Sequence, residues 1–304
     1  MRRPRVIGWV VAAIAGLGLA VLATLPNNEP EYEHKPLSYW LRAYEWSRDD
    51  DPRQAEVEHA IRQIGTNAIP YLLEHIRDEN PEWIGTVARV VSQLPGPIYS
   101  WWSSLEHRWD RGFQAGVGLH ILGPDLAPAV PRLIELMDNR YILDPVIEAL
   151  ASVGPAAGPG LIKVLTNQTC PEHQRGAAAW ALELMGTNAA QYLPELKVAL
   201  REQPDASCMV VWAIAEVATN KQAVIPVLVE ALHSPRYEIK MAGAERLGNL
   251  GGLARRCVPD LERLLADQHP DIRFAVTNAI EQITSSNSDP VAVELGSGRT
   301  SGAD

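Results

Sequence analysis

The side chains best suited to catalysis or metal binding are scattered along this 304-residue chain. His34, His59, His75, His107, His120, His173, His233 and His269 stand singly, and no H-x-x-x-H or H-E-x-x-H spacing sets two imidazoles on one helical face. Cys170, Cys208 and Cys257 lack metal-ligand spacing, and an odd number of thiols does not pair completely within one chain. Cys208 and Cys257 fall in predicted helices, where a free thiol behaves as a small buried hydrophobe, while a Cys170–Cys208 bridge stays open in an oxidising compartment. Asp49-Asp50-Asp51, just before Pro52, reads as a negative cap on the first regular helix; calcium would need spaced oxygen ligands and a glycine turn. Asn167-Gln168-Thr169 fits a glycosylation sequon, a single match that carries meaning only in a eukaryotic source. The sequence has no phosphate-binding Walker loop, no G-x-G-x-x-G turn after a strand and no G-x-S-x-G elbow. It therefore assigns no catalytic residue, cofactor, metal or small-molecule substrate, and the chain is expected not to be an enzyme.

Binding is better represented than catalysis. Of the 9 Trp, 8 Tyr and 2 Phe, eleven fall between residues 32 and 109: Tyr32, Tyr39, Trp40, Tyr44, Trp46, Tyr71, Trp83, Tyr99, Trp101, Trp102 and Trp109. Aromatic rings anchor interfaces well, so Trp83, Tyr99, Trp101, Trp102 and Trp109 form the candidate partner-binding set, for a protein, a peptide or a glycan. Successive helical residues point about 100° apart, so Trp101 and Trp102 do not share one groove and at least one faces outward. A plainer reading stands beside it: Trp40 and Trp46 cap the open end of a stack, and Trp101 and Trp102 fill an irregular second repeat. Trp180 and Trp212, each fourteen residues ahead of a proline, read as packing between repeats.

The net charge of −10 includes Arg2, Arg3 and Arg5, so the rest of the chain stands at −13. An acidic body without a basic stripe is poorly suited to displacing counterions from phosphates, which sets nucleic acid aside as a partner. After the arginines, Val6–Leu25 is a run of twenty uncharged residues ending at Pro26. At about 1.5 Å per residue it spans about 30 Å, the thickness of a bilayer core. The apolar core of a cleaved signal is shorter, about 7–15 residues. A retained anchor is thus favoured, with cleavage left open by the small residues Ala20 and Ala23. Arginines stay cytoplasmic and the acidic flank Glu29, Glu31 and Glu33 follows the span, which puts the bulk outside the cytoplasm. In a bacterium that is the periplasmic side of the inner membrane, or the periplasm and beyond if the segment is cleaved.

The prolines recur. Pro70, Pro97, Pro131, Pro159, Pro194, Pro226 and Pro259 are 27 to 35 residues apart, and most open a short amphipathic helix such as Pro131-Arg-Leu-Ile-Glu-Leu-Met or Pro226-Val-Leu-Val-Glu-Ala-Leu. Proline suits a first helical turn, where its missing N–H would be unpaired anyway. Ahead of each lies a second, Ala-rich helical stretch closed by Gly65, Gly96, Gly123, Gly154, Gly186 or Gly251, with Asn220 in that place in the sixth unit. Gly and Asn tolerate the left-handed conformation that ends a helix. The unit is helix A, glycine turn, helix B and a polar link. About seven pairs fit between residues 53 and 267, followed by a terminal helix over 271–283 carrying Ala275, Ala279, Ile280 and Ile283 on one face. Alanines at Ala60, Ala115, Ala177, Ala181, Ala242, Ala275 and Ala279 let neighbouring A helices approach closely, as an all-α solenoid requires. The domain plan is an anchor or signal at 1–26, an aromatic juxtamembrane segment at 27–52, a solenoid at 53–284 and a disordered Gly/Ser-rich tail at 285–304.

Leu122-Gly123-Pro124-Asp125-Leu126-Ala127-Pro128-Ala129-Val130-Pro131 and Ile64-Gly65-Thr66-Asn67-Ala68-Ile69-Pro70 resemble the inter-helix turn of short HEAT-like repeats, the phycobilisome-lyase HEAT-like subtype. The resemblance covers roughly 53–284 and implies a right-handed α-solenoid superhelix. Upstream, Tyr32-Glu33-His34-Lys35-Pro36-Leu37-Ser38-Tyr39-Trp40-Leu41 is similar to the segment after the anchor in bacterial membrane-tethered HEAT-repeat proteins, which usually have Gly in place of His34. These resemblances imply a membrane-tethered, exported scaffold for a protein partner. The subtype's name also raises a bilin lyase-like enzyme; an exported body and the lack of a cluster of ionisable groups argue against it.

Overall fold

The computed structural model describes residues 29–44, 52–77, 111–202 and 208–285. A two-residue strand pair, β1 (Glu31–Tyr32) and antiparallel β2 (Lys35–Pro36), leads into α1 (Leu37–Ala43). Six helix pairs follow: α2 (Pro52–Ile64) with α3 (Ile69–His75), α4 (Arg111–Leu122) with α5 (Val130–Leu136), and α6 (Leu143–Val153) with α7 (Gly158–Thr166). After these come α8 (Glu172–Met185) with α9 (Leu193–Glu202), α10 (Cys208–Val217) with α11 (Ile225–Leu232), and α12 (Tyr237–Asn249) with α13 (Val258–Glu262). The closing helix, α14 (Pro270–Ser285), is slightly longer than its sequence pattern suggests; Ala275, Ala279 and Ile283 are buried and Ile280 half-buried.

Each marker proline in these pairs is the second residue of its helix, at Pro70, Pro131, Pro159, Pro194, Pro226 and Pro259. No intrahelical partner is lost there. Fixing the helix start also fixes its phase: Leu72, Leu133, Leu161, Leu196, Leu228 and Leu261, each two residues on, are all 0 % exposed. Burying such a side chain contributes about 1.5–3 kcal/mol relative to leaving it in water. The A helices stack in order, α4 on α6, α6 on α8, α8 on α10, α10 on α12 and α12 on α14. All seven of the alanines singled out for close approach are buried.

The proline count predicts seven pairs, and the residues of the second fall within 78–110, outside the described residues. In the stack α2 and α3 pack directly on α4. A Cβ on Gly118 of α4 would stand 2.7 Å from Leu72 Cδ2 of α3, so the first and third units of the sequence pattern are immediate neighbours.

Two of the turn glycines, Gly154 and Gly186, are more restricted than a left-handed cap. Gly65, Gly123, Gly154, Gly186 and Gly251 have φ of +54° to +72°, and ψ is −145° at Gly154 and −135° at Gly186. This region is close to exclusive to glycine, whereas Asn is tolerated only in the left-handed well. Asn220 accordingly departs from expectation. It sits at φ −101°, extended, and its side chain accepts the Gln222 amide at 3.0 Å. From turn glycine to marker proline the chain runs five residues at Gly65 and Gly154 and eight at Gly123, Gly186 and Gly251, and the two spacings have a structural basis. The shorter is bridged by 3-10 segments of three or four residues (Gly154–Ala156, Gly65–Ala68), the longer by segments of seven (Gly123–Ala129, Gly186–Tyr192, Gly251–Cys257). Three or four extra residues are about one 3-10 turn.

All three cysteines are free, so the Cys170–Cys208 bridge is not formed. Cys257 is buried in a 3-10 turn rather than a helix, and burial, then the charge of Asp260, raises its thiol pKa. Among the described residues no single helix is long and apolar enough to cross a membrane. The anchor stretch Val6–Leu25, the Asp49–Asp51 cap and the tail 286–304 lie outside the described residues.

A Cβ on Gly186 would meet nothing within 4 Å, so the cost of replacing it is purely conformational. Gly186→Ala and Gly186→Asn are expected to destabilise the protein alike, by about 1–3 kcal/mol in denaturant unfolding. A clear advantage of Asn over Ala would instead indicate a left-handed cap.

Candidate functional site

The five aromatic residues chosen from the sequence, Trp83, Tyr99, Trp101, Trp102 and Trp109, all fall within 78–110 and lie outside the described residues, as does Trp46. The neighbouring N-terminal cap is described. Its hairpin turns through Glu33 and His34 at φ +51° and +60°, left-handed at both central positions, as the tightest hairpin turns require. Glycine is the natural occupant of such a position, which accounts for the Gly of the resembling segment where this chain has His34. Leu37 N–H donates to the Pro30 carbonyl at 2.9 Å, and Ser38 N–H donates to the Glu29 carboxylate at the start of α1.

The inner face of α1, Leu37, Trp40 and Leu41, is buried, and α1 packs on α2 and α4. Trp40 therefore caps the stack as its position suggests. Tyr32 lies 6.2 Å from the Trp40 ring and edge-on to His59 at 6.1 Å, and the Lys35 ammonium sits 4.5 Å from the Trp40 centroid and 5.0 Å from that of Tyr39. Beside the cap a cleft of about 570 Å³ is lined by Glu29, Arg42, Tyr71, Glu74, His75 and Arg111, among others. His75 stacks on Tyr71 with centroids 4.1 Å apart, and its Nδ1 lies 2.8 Å from the Tyr71 carbonyl. The cleft carries both signs of charge and is suited to a polar group with both.

A second constellation joins three A helices. Arg246 of α12 donates to Glu183 of α8 at 2.5 Å and to Glu216 of α10 at 2.7 Å, and its guanidinium lies 5.2 Å from the centroid of Trp212. Lys221 donates to the last carbonyls of α10, Ala215 at 2.6 Å and Glu216 at 3.1 Å, and pairs with the Glu216 carboxylate at 3.5 Å. The Arg246 and Glu183 side chains are only 15 % and 13 % exposed. Burial raises the Glu183 pKa; Arg246 opposes that shift and Glu216 adds to it. Glu245 is likewise raised by burial against the pull of Arg246. The arrangement is a fastener between repeats: its charges are matched within the chain. The sequence held a trace of it, since Trp180, Trp212 and Glu245 each precede a marker proline by fourteen residues and Arg246 follows the one that is not Trp.

Among the described residues no group of three or more His, Cys, Asp or Glu is placed to hold a metal ion. The histidines serve structure where their contacts are seen. His173 Nδ1 lies 3.3 Å from Arg140 Nη2, and His269 stacks on Tyr237 at 5.1 Å.

Residues 193–281, from α9 into α14, match the family described as HEAT repeats, so this part of the stack has both the helix order and the sequence pattern of that repeat. No curated protein matches the chain. Among solved structures it is similar to human deoxyhypusine hydroxylase in complex with glycerol, at 16 % identity over 82 % of this chain and 95 % of that one, with a TM-score of 0.31. So distant a likeness bears on neither activity nor substrate.

Arg246→Met should destabilise the protein by about 1–3 kcal/mol, because two carboxylates lose their guanidinium. The loss should depend on pH. Glu183 has a higher pKa folded than unfolded, so its contribution to stability falls as pH rises from the ordinary 4.5 through the raised folded value. Removing Arg246 raises the folded value further. The deficit against wild type, read from denaturant midpoints, is expected to be larger at neutral pH than near pH 4.5; equal deficits would contradict the clamp.

Proposed function

We propose that this chain is a membrane-tethered, exported HEAT-repeat scaffold that binds a protein partner and performs no chemistry of its own. The helical stack and the HEAT match over 193–281 support the scaffold, since such repeats present an extended surface of many small contacts. The observation that carries the reading is a row on the B helices. Four residues after each marker proline of the six described pairs stand Glu74, Glu135, Lys163, Val198, Glu230 and Arg263, every one exposed. Arg132 pairs with Glu135, Arg201 with Glu230, and Arg263 with Asp260. A row of two glutamates, a lysine, a valine, a glutamate and an arginine, with much of its charge already balanced, offers little to a polyanion and suits a partner of matching pattern.

The tether rests on Val6–Leu25 and its arginine flank, and export on the order of those charges. The short-repeat subtype, the right-handed superhelix and the bacterial inner-membrane setting belong to this same reading, on the turn and juxtamembrane segments quoted above. Trp83, Tyr99, Trp101, Trp102 and Trp109 are its proposed contact residues.

The test is a pull-down of detergent-solubilised full chain, comparing wild type with a Trp101→Ala/Trp102→Ala variant and with Val198→Glu on α9. A defined protein retained by wild type and lost in a variant is the expected result and locates the face. Glycan retained in place of protein, and lost with the tryptophans, would overturn the protein-scaffold reading in favour of an envelope binder.

A further inference from the structure

The outer face of α1 is the end of the described stack on the side of the predicted membrane span. Its inner residues Leu37, Trp40 and Leu41 are buried, whereas Arg42 and Ala43 are exposed and Tyr39 is 49 % exposed. Pro36, Ser38, Tyr39, Arg42 and Ala43 line a shallow hollow of about 410 Å³ on this face. Lys35 lies against the Tyr39 ring at 5.0 Å, which places a cation and an aromatic ring side by side. Arg42 and Arg111, at the adjoining cleft, pair with no carboxylate among the described residues.

The chain outside the structure limits where this face can go. From Leu25, the end of the span, to Glu31, the first paired residue, run only residues 26–30. At about 3.3–3.6 Å per extended residue the six steps from Leu25 to Glu31 make a tether of at most about 22 Å. The polar layer of each leaflet is itself about 5–8 Å deep. A stack held so closely by its N-terminal end has that end against the headgroups. Tyrosine with flanking Lys or Arg is the side-chain set favoured at a membrane–water interface. The cap also carries Glu31 and Glu33, both exposed, and Glu29 and Glu74 line the cleft. Those carboxylates disfavour a purely anionic surface and complement an ammonium group, while Lys35, Arg42 and Arg111 complement a phosphate.

We propose that the outer face of α1, through Tyr39, Lys35 and Arg42, seats the N-terminal end of the stack on the headgroups of a zwitterionic phospholipid bilayer. This rests on the tether proposed above, and the stack then stands out from the membrane with α14 at its far end. Five A-helix steps of about 8–10 Å each separate α4 from α14 along the stack.

The full chain, with its three cysteines replaced by Ala and its fold checked by circular dichroism, is reconstituted into phosphatidylethanolamine–phosphatidylcholine vesicles. An environment-sensitive fluorophore is attached at Ala43→Cys on α1, or at Phe274→Cys on α14. Lipids carrying a nitroxide on the headgroup are expected to quench the probe at 43 and to leave the probe at 274 unaffected, and Arg42→Glu or Tyr39→Ser should weaken the quenching at 43; quenching at 43 unchanged in both variants would overturn the seating and leave the tether standing. If the protein floats with the vesicles but the two probes are quenched alike, the seating is overturned and the tether stands. If the protein does not float, the tether fails and the seating with it. Preferential quenching only in vesicles of anionic lipid would overturn the zwitterionic assignment.

Discussion

Close approach of successive helices through alanine and glycine is the contact on which the rest of this structure depends. The B helices are five to ten residues long, well short of what is stable alone in water. Each must be held by a neighbour, and the neighbour must come close. A Cβ on Gly243 of α12 would stand 3.0 Å from the Leu228 carbonyl oxygen of α11, and one on Gly248 would stand 2.9 Å from Ala279 Cα of α14. A Cβ on Gly116 of α4 would meet Pro145 Cβ of α6 at 2.6 Å. Backbone-to-backbone contact of this kind leaves no room for larger residues, so the aliphatic core is moved to the A–B seam, where the leucine two residues after the marker proline of each described pair is fully enclosed.

That arrangement decides where polar groups go. The A-helix flanks are too tightly packed for long side chains, and charges collect at the helix ends and links. Asn139, Asn167, Asn220 and Asp267 each accept the amide two residues on at 3.0 Å, closing four links or turns with one device. Arg175 and Arg273, each the fourth residue of its A helix, donate to the carbonyls of the preceding link at 2.6 and 2.7 Å. Lys240, fourth in α12, instead reaches forward to Asp267 at 3.0 Å, and this pairing, after the His269 amide, holds the Asp267 carboxyl below its ordinary pKa. Arg246 is the case in which one cation spans three helices. Repeats are therefore joined by two means, apolar contact along the seam and charge-assisted bonds at the ends.

The features legible in the sequence are those whose physics is local. Proline at a helix start, glycine at a turn open to little else, and leucine at fixed phase all act within a few residues, so their recurrence reveals the pair, its turn and its buried face. Asn220 shows the limit of that reasoning. Composition makes Asn and Gly equivalent caps, but the backbone at Gly154 and Gly186 lies outside the left-handed well that Asn tolerates, and the chain at Asn220 takes another, extended path. The two-residue strands of the N-terminal cap are too short to leave an alternating pattern, and what fixes them is the pair of left-handed residues at their turn. The stacking of α3 on α4 and the Arg246 clamp were hidden for a different reason. Their partners are remote in sequence, 63 residues apart for Arg246 and Glu183, and no local pattern encodes which units become neighbours. The candidate aromatic residues were legible as a compositional excess between residues 32 and 109, a signal that names residue types and carries no geometry.

The two ends of the stack are treated differently, and this gives the molecule a direction. At the N-terminal end a hairpin and α1 cover α2 and α4 with a buried indole, so the apolar face that a further repeat would have covered is closed by the chain itself. At the other end α14 has only its inner face buried; Arg273, Thr277 and Glu281 on its outer side are solvent-exposed, with Phe274 at 69 % exposure the one large apolar group among them. A polar outer face is what a terminal repeat needs to remain soluble without a neighbour. Closing one end with an aromatic cap and the other with charge divides the roles physically: the capped end tolerates a nearby surface, while the polar end tolerates open solvent. The B-helix row between them, mixed in sign and partly self-compensated, is the exposed surface on which the proposed partner would bear.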